Sequence, residues 1–443
     1  MTDVTVRKTE ELKGEICAPP SKSYTQRMLI AAALSQGTSS ISNPLVSNDT
    51  EAAMRAVKAL GVKVTATEAC WIVEGAQPLR GAQAPVNCGE SGATLRFMIP
   101  VAALAPEPSV FVFGESLEKR PIEPILQSLK QLGADVYHQR LGDRLSIVVK
   151  GGGIAGGKTS ICGDISSQFV SGLMFACPMA RADTEITLTT PLESKGYVKM
   201  TQIVLGEHCI SVSISQEFDR LRIPSEQTYK PYDHIVPGDF SSAAFLLAAG
   251  AIRPSDVIIK NLDYETVQSD RAIFDVLRRL GVDGKVCPDS VEIKGKGGLL
   301  RAIDVDAKNI PDLVPVCVAL ACYANGISKI HDAHRLRYKE SDRLISLYLE
   351  LKKMGAEIAI DGDSLTVKGP CALHGAVIDP HNDHRIAMAC AVAALGASGE
   401  TRIQNAECVR KSYPKFFSDL RLLGMDVIGG EFDRERIRGY LFR

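Results

Sequence analysis

The chain reads as an α/β protein of six similar units arranged in two domains, three units to a domain, and three observations predict this. First, a helix end made of an apolar residue plus glycine recurs at Leu60-Gly61, Leu132-Gly133, Leu205-Gly206, Leu280-Gly281, Met354-Gly355 and Leu423-Gly424. These glycines lie 72, 73, 75, 74 and 69 residues apart, which is a repeat period. Second, each is preceded by another helical stretch of small and apolar residues with no polar face, the pattern of a helix buried on most sides. Third, strand-like runs separate and follow the helices.

In chain order the apolar helices are "QRMLIAAAL", "LRFMIPVAAL", "FVSGLMFACPMA", "SSAAFLLAAGA", "LVPVCVALACYA" and "RIAMACAVAAL". The second helix of each unit is amphipathic, as in "TEAAMRAVKAL" and "RAIFDVLRRL", and its glycine falls where a helix ends in a left-handed residue. Strands such as "SVFVF", "EITLTT", "DVIIKN" and "ISKIHD" lie between the two helices, and "LSIVVKG", "SVEIKG" and "SLTVKG" follow the second. Each unit therefore reads strand-helix-strand-helix-strand-strand. The pattern breaks near Pro231 to Pro237, in "KPYDHIVPGD", which marks the domain boundary.

Length and composition agree. At 443 residues, with 45% apolar and 23% charged residues, the chain has two domains' worth of ordinary core. A formal net charge of -1 gives no global pull toward nucleic acid or an anionic membrane, so any anion site is local. The first residues lack the apolar segment of a signal peptide, and no run of 18 apolar residues occurs. The 12 cysteines form no C-x-x-C pair and read as reduced, structural thiols.

Polar and charged residues gather at two places in every unit. The starts of the first helices hold Ser21-Lys22-Ser23, Glu90 to Thr94, Ser166-Ser167-Gln168, Asp239 to Ser242, Pro311-Asp312 and Asp383-His384-Arg385. Starts of the second include Asp49-Thr50, Arg120-Pro121, Ser194 to Tyr197, Lys339 to Arg343 and Lys411 to Pro414. Helix capping explains Ser, Thr, Asp and Pro here. It does not explain Lys22, Arg120, Lys339, Arg343, Arg385 and Lys411, because the helix dipole disfavours each by about 0.3–1 kcal/mol. An anionic ligand over these helix ends offsets that cost. On a helix, Lys339 and Arg343 would repel at i,i+4 while Glu340 and Arg343 would pair at i,i+3.

Two other patterns are set aside. "GGIAGGKT", Gly152 to Thr159, has the spacing of a phosphate-binding loop, but no helix follows it. His331, His334, His381 and His384 make a poor metal site because Arg385 adjoins His384. No metal is expected.

"PPSKSYTQR", "GESLEKRP", "SSQF", "SKGY", "PGDFSSAAF", "IPD", "LRYKESDR", "NDHRIAM" and "RKSYP" occur in the order found in the 5-enolpyruvylshikimate-3-phosphate synthases, and the chain resembles that family over nearly its whole length. The resemblance implies a two-domain inside-out α/β barrel closing on its substrates at the hinge. Domain one is then 21–236, and domain two 1–20 with 237–443, the N-terminal strand crossing into domain two.

It implies enolpyruvyl transfer from phosphoenolpyruvate to the 5-hydroxyl of shikimate 3-phosphate by addition and elimination, without metal or redox cofactor. Lys22, Ser23, Arg27, Ser166, Ser167, Gln168, Ser194, Tyr197, Asp312 and Lys339 would hold shikimate 3-phosphate. Lys22, Gly92, Arg120, Gln168, Arg343, Arg385 and Lys411 would hold phosphoenolpyruvate. Asp312 is the candidate base, and Glu340 and Lys22 are the candidates for proton delivery.

Two departures concern the donor site: Glu90 stands where the family has Asn, and Ala93 where it has Thr. The expectation is that Glu90 pairs with a cation such as Arg120 or Lys411, and that Thr94 replaces the lost hydroxyl. Gly92 leaves room for glyphosate, for which competitive inhibition is expected. The alternatives are a UDP-N-acetylglucosamine enolpyruvyl transferase, whose reactive cysteine "GESLEKRP" lacks, and a non-catalytic anion-binding relative. A cytoplasmic, prokaryotic monomer is expected, with no nucleic-acid or membrane partner.

Overall fold

The computed structural model describes residues 2–298 and 300–430. Met1, Leu299 and 431–443, all assigned to domain two from sequence, lie outside the described residues. The chain divides into two compact units, one formed by the stretch up to Pro19 with the stretch from Pro237, the other by Pro20–Val236. Pro20 thus falls with the second of these.

Among the described residues six sheets share one plan, the fifth with its first strand in two pieces, Leu300–Arg301 and Asp304–Asp306. In each, the first strand of the repeat pairs parallel with the second, the second antiparallel with the fourth, and the fourth antiparallel with the third. Within Pro20–Val236 one sheet runs Val86–Asn87, Ser109–Val112, Arg144–Val149, Val136–Leu141. Another runs Gly157–Ile161, Thr184–Leu188, Arg220–Ile223, Ser213–Ile214. The Gly152–Thr159 segment therefore ends in an edge strand, with no helix start to receive a phosphate.

Three strands come from out of sequence. His234–Ile235, inside the segment read as a break, pairs parallel with Thr38–Ser42 and supplies the first strand of the first repeat. Leu12–Cys17 pairs parallel with Ser255–Lys260 and does the same for the fourth. Val4–Arg7 lies antiparallel between Glu400–Ile403 and Val427–Ile428 and is the fourth strand of the sixth. A strand binds by backbone hydrogen bonds and one buried face, so a distant segment serves as well as a near one.

The apolar helices form the cores. In one unit these are Lys22–Ala33, Gly92–Ala102 and Ser167–Ala176; in the other, Phe240–Ile252, Val314–Ala321 and His384–Ala394. Phe240–Ile252 is buried at every position. Gly172 lets two helices approach closely, since a Cβ there would stand 2.4 Å from the Arg96 carbonyl oxygen. Five of the six repeat glycines are left-handed, but Gly206 is not: its helix runs on through Glu207 and Cys209, at φ 63°, takes the left-handed position. The Ile210 amide then donates to Leu205 O at 2.9 Å and the Cys209 amide to Gly206 O at 2.9 Å, the paired bonds of a Schellman end. All 12 cysteines are free, and burial pushes the Cys88, Cys177 and Cys317 thiols up to about 12. Among the described residues no helix is long and apolar enough to cross a membrane.

Candidate active site

In Pro20–Val236 Lys22, Ser23, Gly92, Ser166, Ser167 and Gln168 sit where three first helices begin, while Arg120, Ser194 and Tyr197 lie beside the starts of second helices. Ser21 caps Lys22–Ala33 by accepting from the Tyr24 amide at 3.4 Å. The Lys22 ammonium, at the first helical position, lies 2.9 Å from Asp49 Oδ2, so a carboxylate of the protein offsets its charge. One turn on, Arg27 is buried, its Nη1 donating to Ser23 O at 2.9 Å and its Nε to Thr201 Oγ1 at 2.8 Å. The guanidinium stands 5.1 Å from the Phe97 ring centre and 5.7 Å from that of Tyr197. Among the described residues Arg27 forms no ion pair, and burial pulls it down to about 10. A buried cation without a carboxylate is costly to the fold.

Ser166 caps Ser167–Ala176 through the Gln168 amide at 3.3 Å, and Ser167 is buried beside it. Arg96, which the sequence reading passed over, donates to Gln168 Oε1 at 2.8 Å, to Ser166 Oγ at 3.4 Å and to Pro121 O at 2.9 Å. It joins the "SSQF" and "EKRP" segments. Its spacing of four from Gly92 was the available signal, since both then share a helix face. Ser194 is buried at φ 56°, a left-handed conformation that side-chain-bearing residues rarely adopt, and its carbonyl accepts from the Tyr197 amide at 3.1 Å.

The donor-side loop corrects two expectations. Glu90 Oε2 accepts from the Ser116 hydroxyl and from the Leu117 amide at 3.1 Å, at the start of the short helix Glu115–Glu118. Arg120 reaches the same Ser116 hydroxyl at 3.2 Å, so Glu90 joins it through a serine rather than by the direct pairing expected. Thr94 does not replace the hydroxyl missing at Ala93. Its Oγ1 is buried with Ser91 Oγ at 2.8 Å and Gln26 Nε2 at 3.2 Å. Gly92 sits tightly: a Cβ there would be 3.4 Å from both Arg120 Nη1 and Leu117 Cδ1.

In the other unit the charges neutralise one another. Arg343 begins the helix Arg343–Lys353 and is almost wholly buried. Its Nε donates to Asp383 Oδ2 at 2.8 Å, its Nη1 to Asp312 Oδ1 at 2.9 Å and its Nη2 to Glu340 Oε2 at 2.7 Å. The expected Glu340–Arg343 pair is present. Lys411 Nζ lies 3.6 Å from Glu340 Oε1.

Lys339 is not on the helix with Arg343; its backbone is extended, so the two meet through Asp312 rather than by helical spacing. Lys339 Nζ lies 3.3 Å from Asp312 Oδ1 and Arg385 Nε 3.6 Å from the same oxygen, while Arg385 Nη1 donates to Asp312 O at 3.1 Å. Burial opposes ionisation of Asp312, but Arg385, Lys339 and Arg343 outweigh it and hold the carboxyl well below the usual range. Burial pulls Lys339 down to about 8. Asp312 is also no helix cap, since Val314–Ala321 begins two residues later.

The sequence reading also missed Asp270. It is buried, accepts from the Ser241 hydroxyl, and is pushed up to about 7 by burial and by the charge of Asp312. Its own segment, "QSDRA", reads as an ordinary start of the amphipathic helix that follows, and only the fold brings it behind Ser241.

The family model of EPSP synthase (3-phosphoshikimate 1-carboxyvinyltransferase) matches residues 6–420. A relative from Methanocaldococcus jannaschii named 3-phosphoshikimate 1-carboxyvinyltransferase is 40% identical over 425 residues, covering 95% of this chain and 98% of its own. One of the same name from Methanosarcina mazei is 41% identical over 420 residues, covering 94% and 96%. Among solved structures, an EPSP synthase from Acinetobacter baumannii superposes with a TM-score of 0.81 at 24% identity over 97% of this chain and 100% of that one. An enolpyruvyl transferase from Streptomyces tendae gives 0.79 at 19% identity over 97% and 99%. These two structures establish the α/β fold of the enolpyruvyl transferases. The match along nearly the whole sequence goes further: the chain belongs to the EPSP synthase, or 3-phosphoshikimate 1-carboxyvinyltransferase, family.

Proposed function

We propose that the chain transfers the enolpyruvyl group of phosphoenolpyruvate to the 5-hydroxyl of shikimate 3-phosphate and releases inorganic phosphate, the reaction for which its relatives are named. The observation that carries the chemistry is Asp312, a half-buried carboxylate within 3.6 Å of three cations. Lys22, Ser23, Arg27, Ser166, Ser167, Gln168, Ser194, Tyr197, Asp312 and Lys339 bind shikimate 3-phosphate, with Arg27 receiving a substrate charge where no described residue supplies a carboxylate. Lys22, Gly92, Arg120, Gln168, Arg343, Arg385 and Lys411 serve phosphoenolpyruvate.

A proton adds to the vinyl carbon and leaves the adjacent carbon electrophilic. The 5-hydroxyl oxygen attacks that carbon as Asp312 accepts the hydroxyl proton. The tetrahedral intermediate then loses a methyl proton and phosphate, which regenerates the enol ether. Glu340 and Lys22 are the candidates for the proton that goes to carbon. No atom changes oxidation state overall, so no redox cofactor is required, and the fixed cations supply the charge stabilisation that a metal would. Asp312 is weakly basic while Lys339, Arg343 and Arg385 face it. Anionic substrates that engage these cations restore its basicity. The proposal includes a cytoplasmic monomer, which light scattering on the purified protein tests.

The test follows phosphate release from phosphoenolpyruvate with shikimate 3-phosphate and, in parallel, with UDP-N-acetylglucosamine. Release only with the former is expected. Asp312→Asn should bind both substrates and lose about 10²–10⁴-fold in turnover. Wild-type turnover in that variant would remove Asp312 as the base.

A further inference from the structure

Arg385 and Asp383 reach their partners from an unusual turn. His381 and Asn382, the two residues just before Asp383, both have left-handed backbones, at φ 52° and 54°. Two consecutive side-chain-bearing residues in that region persist only where surrounding contacts impose it. Asp383, fully buried, then caps the helix His384–Ala394 through the Arg385 amide at 2.9 Å. It also takes Arg343 Nε at 2.8 Å and Ser341 Oγ at 3.2 Å.

Two bonds close the turn itself, the Asp383 amide to Pro380 O at 2.8 Å and the His381 amide to Asp379 Oδ1 at 2.8 Å, and the contacts that hold it from outside come from Glu350. This carboxylate is 1% exposed and lies on Arg343–Lys353, seven residues and about two turns beyond Arg343, so the two share a face. Its Oε2 accepts from the Asp379 amide at 3.0 Å, its Oε1 lies 2.9 Å from His381 Nε2, and the Lys353 ammonium is 2.9 and 2.7 Å from its two oxygens. Lys353 alone would neutralise a buried carboxylate. The bonds to Asp379 and His381 go further, because they fix both sides of Pro380 and with it the left-handed turn. One helix thus grips one loop twice, through Arg343 on Asp383 and through Glu350 on residues 379–381.

We infer that Glu350 is a positioning residue for phosphoenolpyruvate binding: by holding the His381–Asn382 turn it sets Asp383 and, two residues on, the guanidinium of Arg385. This rests on the assignment of Arg385 to phosphoenolpyruvate, and the experiment separates the two. The Michaelis constants for both substrates, together with melting curves, are measured for Glu350→Ala, Glu350→Gln, His381→Ala, Arg385→Ala and the Glu350→Ala/Arg385→Ala double variant.

Glu350→Ala should raise the constant for phosphoenolpyruvate about tenfold, well short of the roughly 10²-fold of a full 1 Å misplacement, and leave that for shikimate 3-phosphate within about twofold. Glu350→Gln, whose amide oxygen still accepts from Asp379, should recover most of the loss. His381→Ala keeps the Glu350–Lys353 pair and should show a smaller rise of the same kind, which serves if Glu350→Ala does not fold. The double variant should be no worse than Arg385→Ala, because the two act through one group. A lowered melting temperature with an unchanged phosphoenolpyruvate constant in both Glu350→Ala and His381→Ala overturns the positioning role. If Arg385→Ala itself leaves that constant unchanged, it is the assignment of Arg385 that fails.

Discussion

Two buried arginines, one in each unit, lie on the two sides of one design choice. Arg343 has its guanidinium filled by Asp312, Glu340 and Asp383, and its charge is answered by the protein. Among the described residues Arg27 meets Thr201, the Ser23 carbonyl and two aromatic rings, and no carboxylate answers its charge. Burying a cation without a partner is costly, and breaking a buried pair costs more than never having made it. The difference separates a charge neutralised within its own unit from one that no described carboxylate answers.

The comparison can be broken most directly at Arg343. Arg343→Met leaves three carboxylates facing one another, and urea unfolding should show a loss of about 3–5 kcal/mol. A loss below about 1 kcal/mol would mean that the three carboxylates find other partners. Arg27→Met should do the reverse. Its stability should stay within about 1 kcal/mol of wild type, while affinity for shikimate 3-phosphate, read by calorimetry, falls about 10²-fold as a charge-assisted contact is lost. A large loss of stability there would make Arg27 a structural group like Arg343.

Gly92 sharpens the comparison from the donor side. Gly92→Ala places a methyl 3.4 Å from Arg120 Nη1 and Leu117 Cδ1, and should weaken inhibition by glyphosate by about tenfold with turnover nearly kept. Equal inhibition of both proteins would move attention to Glu90.

Lys339 gives the smallest and most specific effect. It is pulled down to about 8 by burial, and by Arg343 and Arg335 against Asp312, so it loses its proton as the pH rises past that point. The ammonium form binds anions. The second-order rate with shikimate 3-phosphate should therefore fall tenfold per pH unit above about 8, and Lys339→Arg should carry the limb beyond about 10. The sign for stability is opposite. A lysine depressed in the fold binds fewer protons than in the unfolded chain between about 8 and its ordinary value of 10.5, so its burial penalty fades as pH rises through that window.

How far the site was legible follows the same division. Residues whose role is local could be read: Ser21, Ser166 and Asp383 cap the helices that their positions predict, and Glu340 pairs with Arg343 at i,i+3. The excess of cations at helix starts was visible too. The reading that an anionic ligand offsets them did not foresee the protein's own carboxylates, Asp49 for Lys22, and Asp312 and Asp383 beside the foreseen Glu340 for Arg343. Asp49, Asp312 and Asp383 lie 27, 31 and 40 residues from the cations they serve, and no spacing rule reaches them. Arg96, Asp270 and Glu350 went unread for the same reason. Each is an ordinary residue on an ordinary helix or turn until another repeat is packed against it.

The sequence by itself determined the six-fold repeat, the buried and amphipathic helices and most of the helix ends, because 3.6-residue periodicity and capping chemistry act over a few residues. It carried the family as well, in nine motifs in fixed order. Only the tertiary structure decided which strands complete the first, fourth and sixth sheets, since a strand's hydrogen bonds are indifferent to where along the chain its partner lies. Tertiary structure also decided which charges are neutralised and which are held open. Electrostatic energy depends on distance and burial in space, and neither is written in the order of the residues.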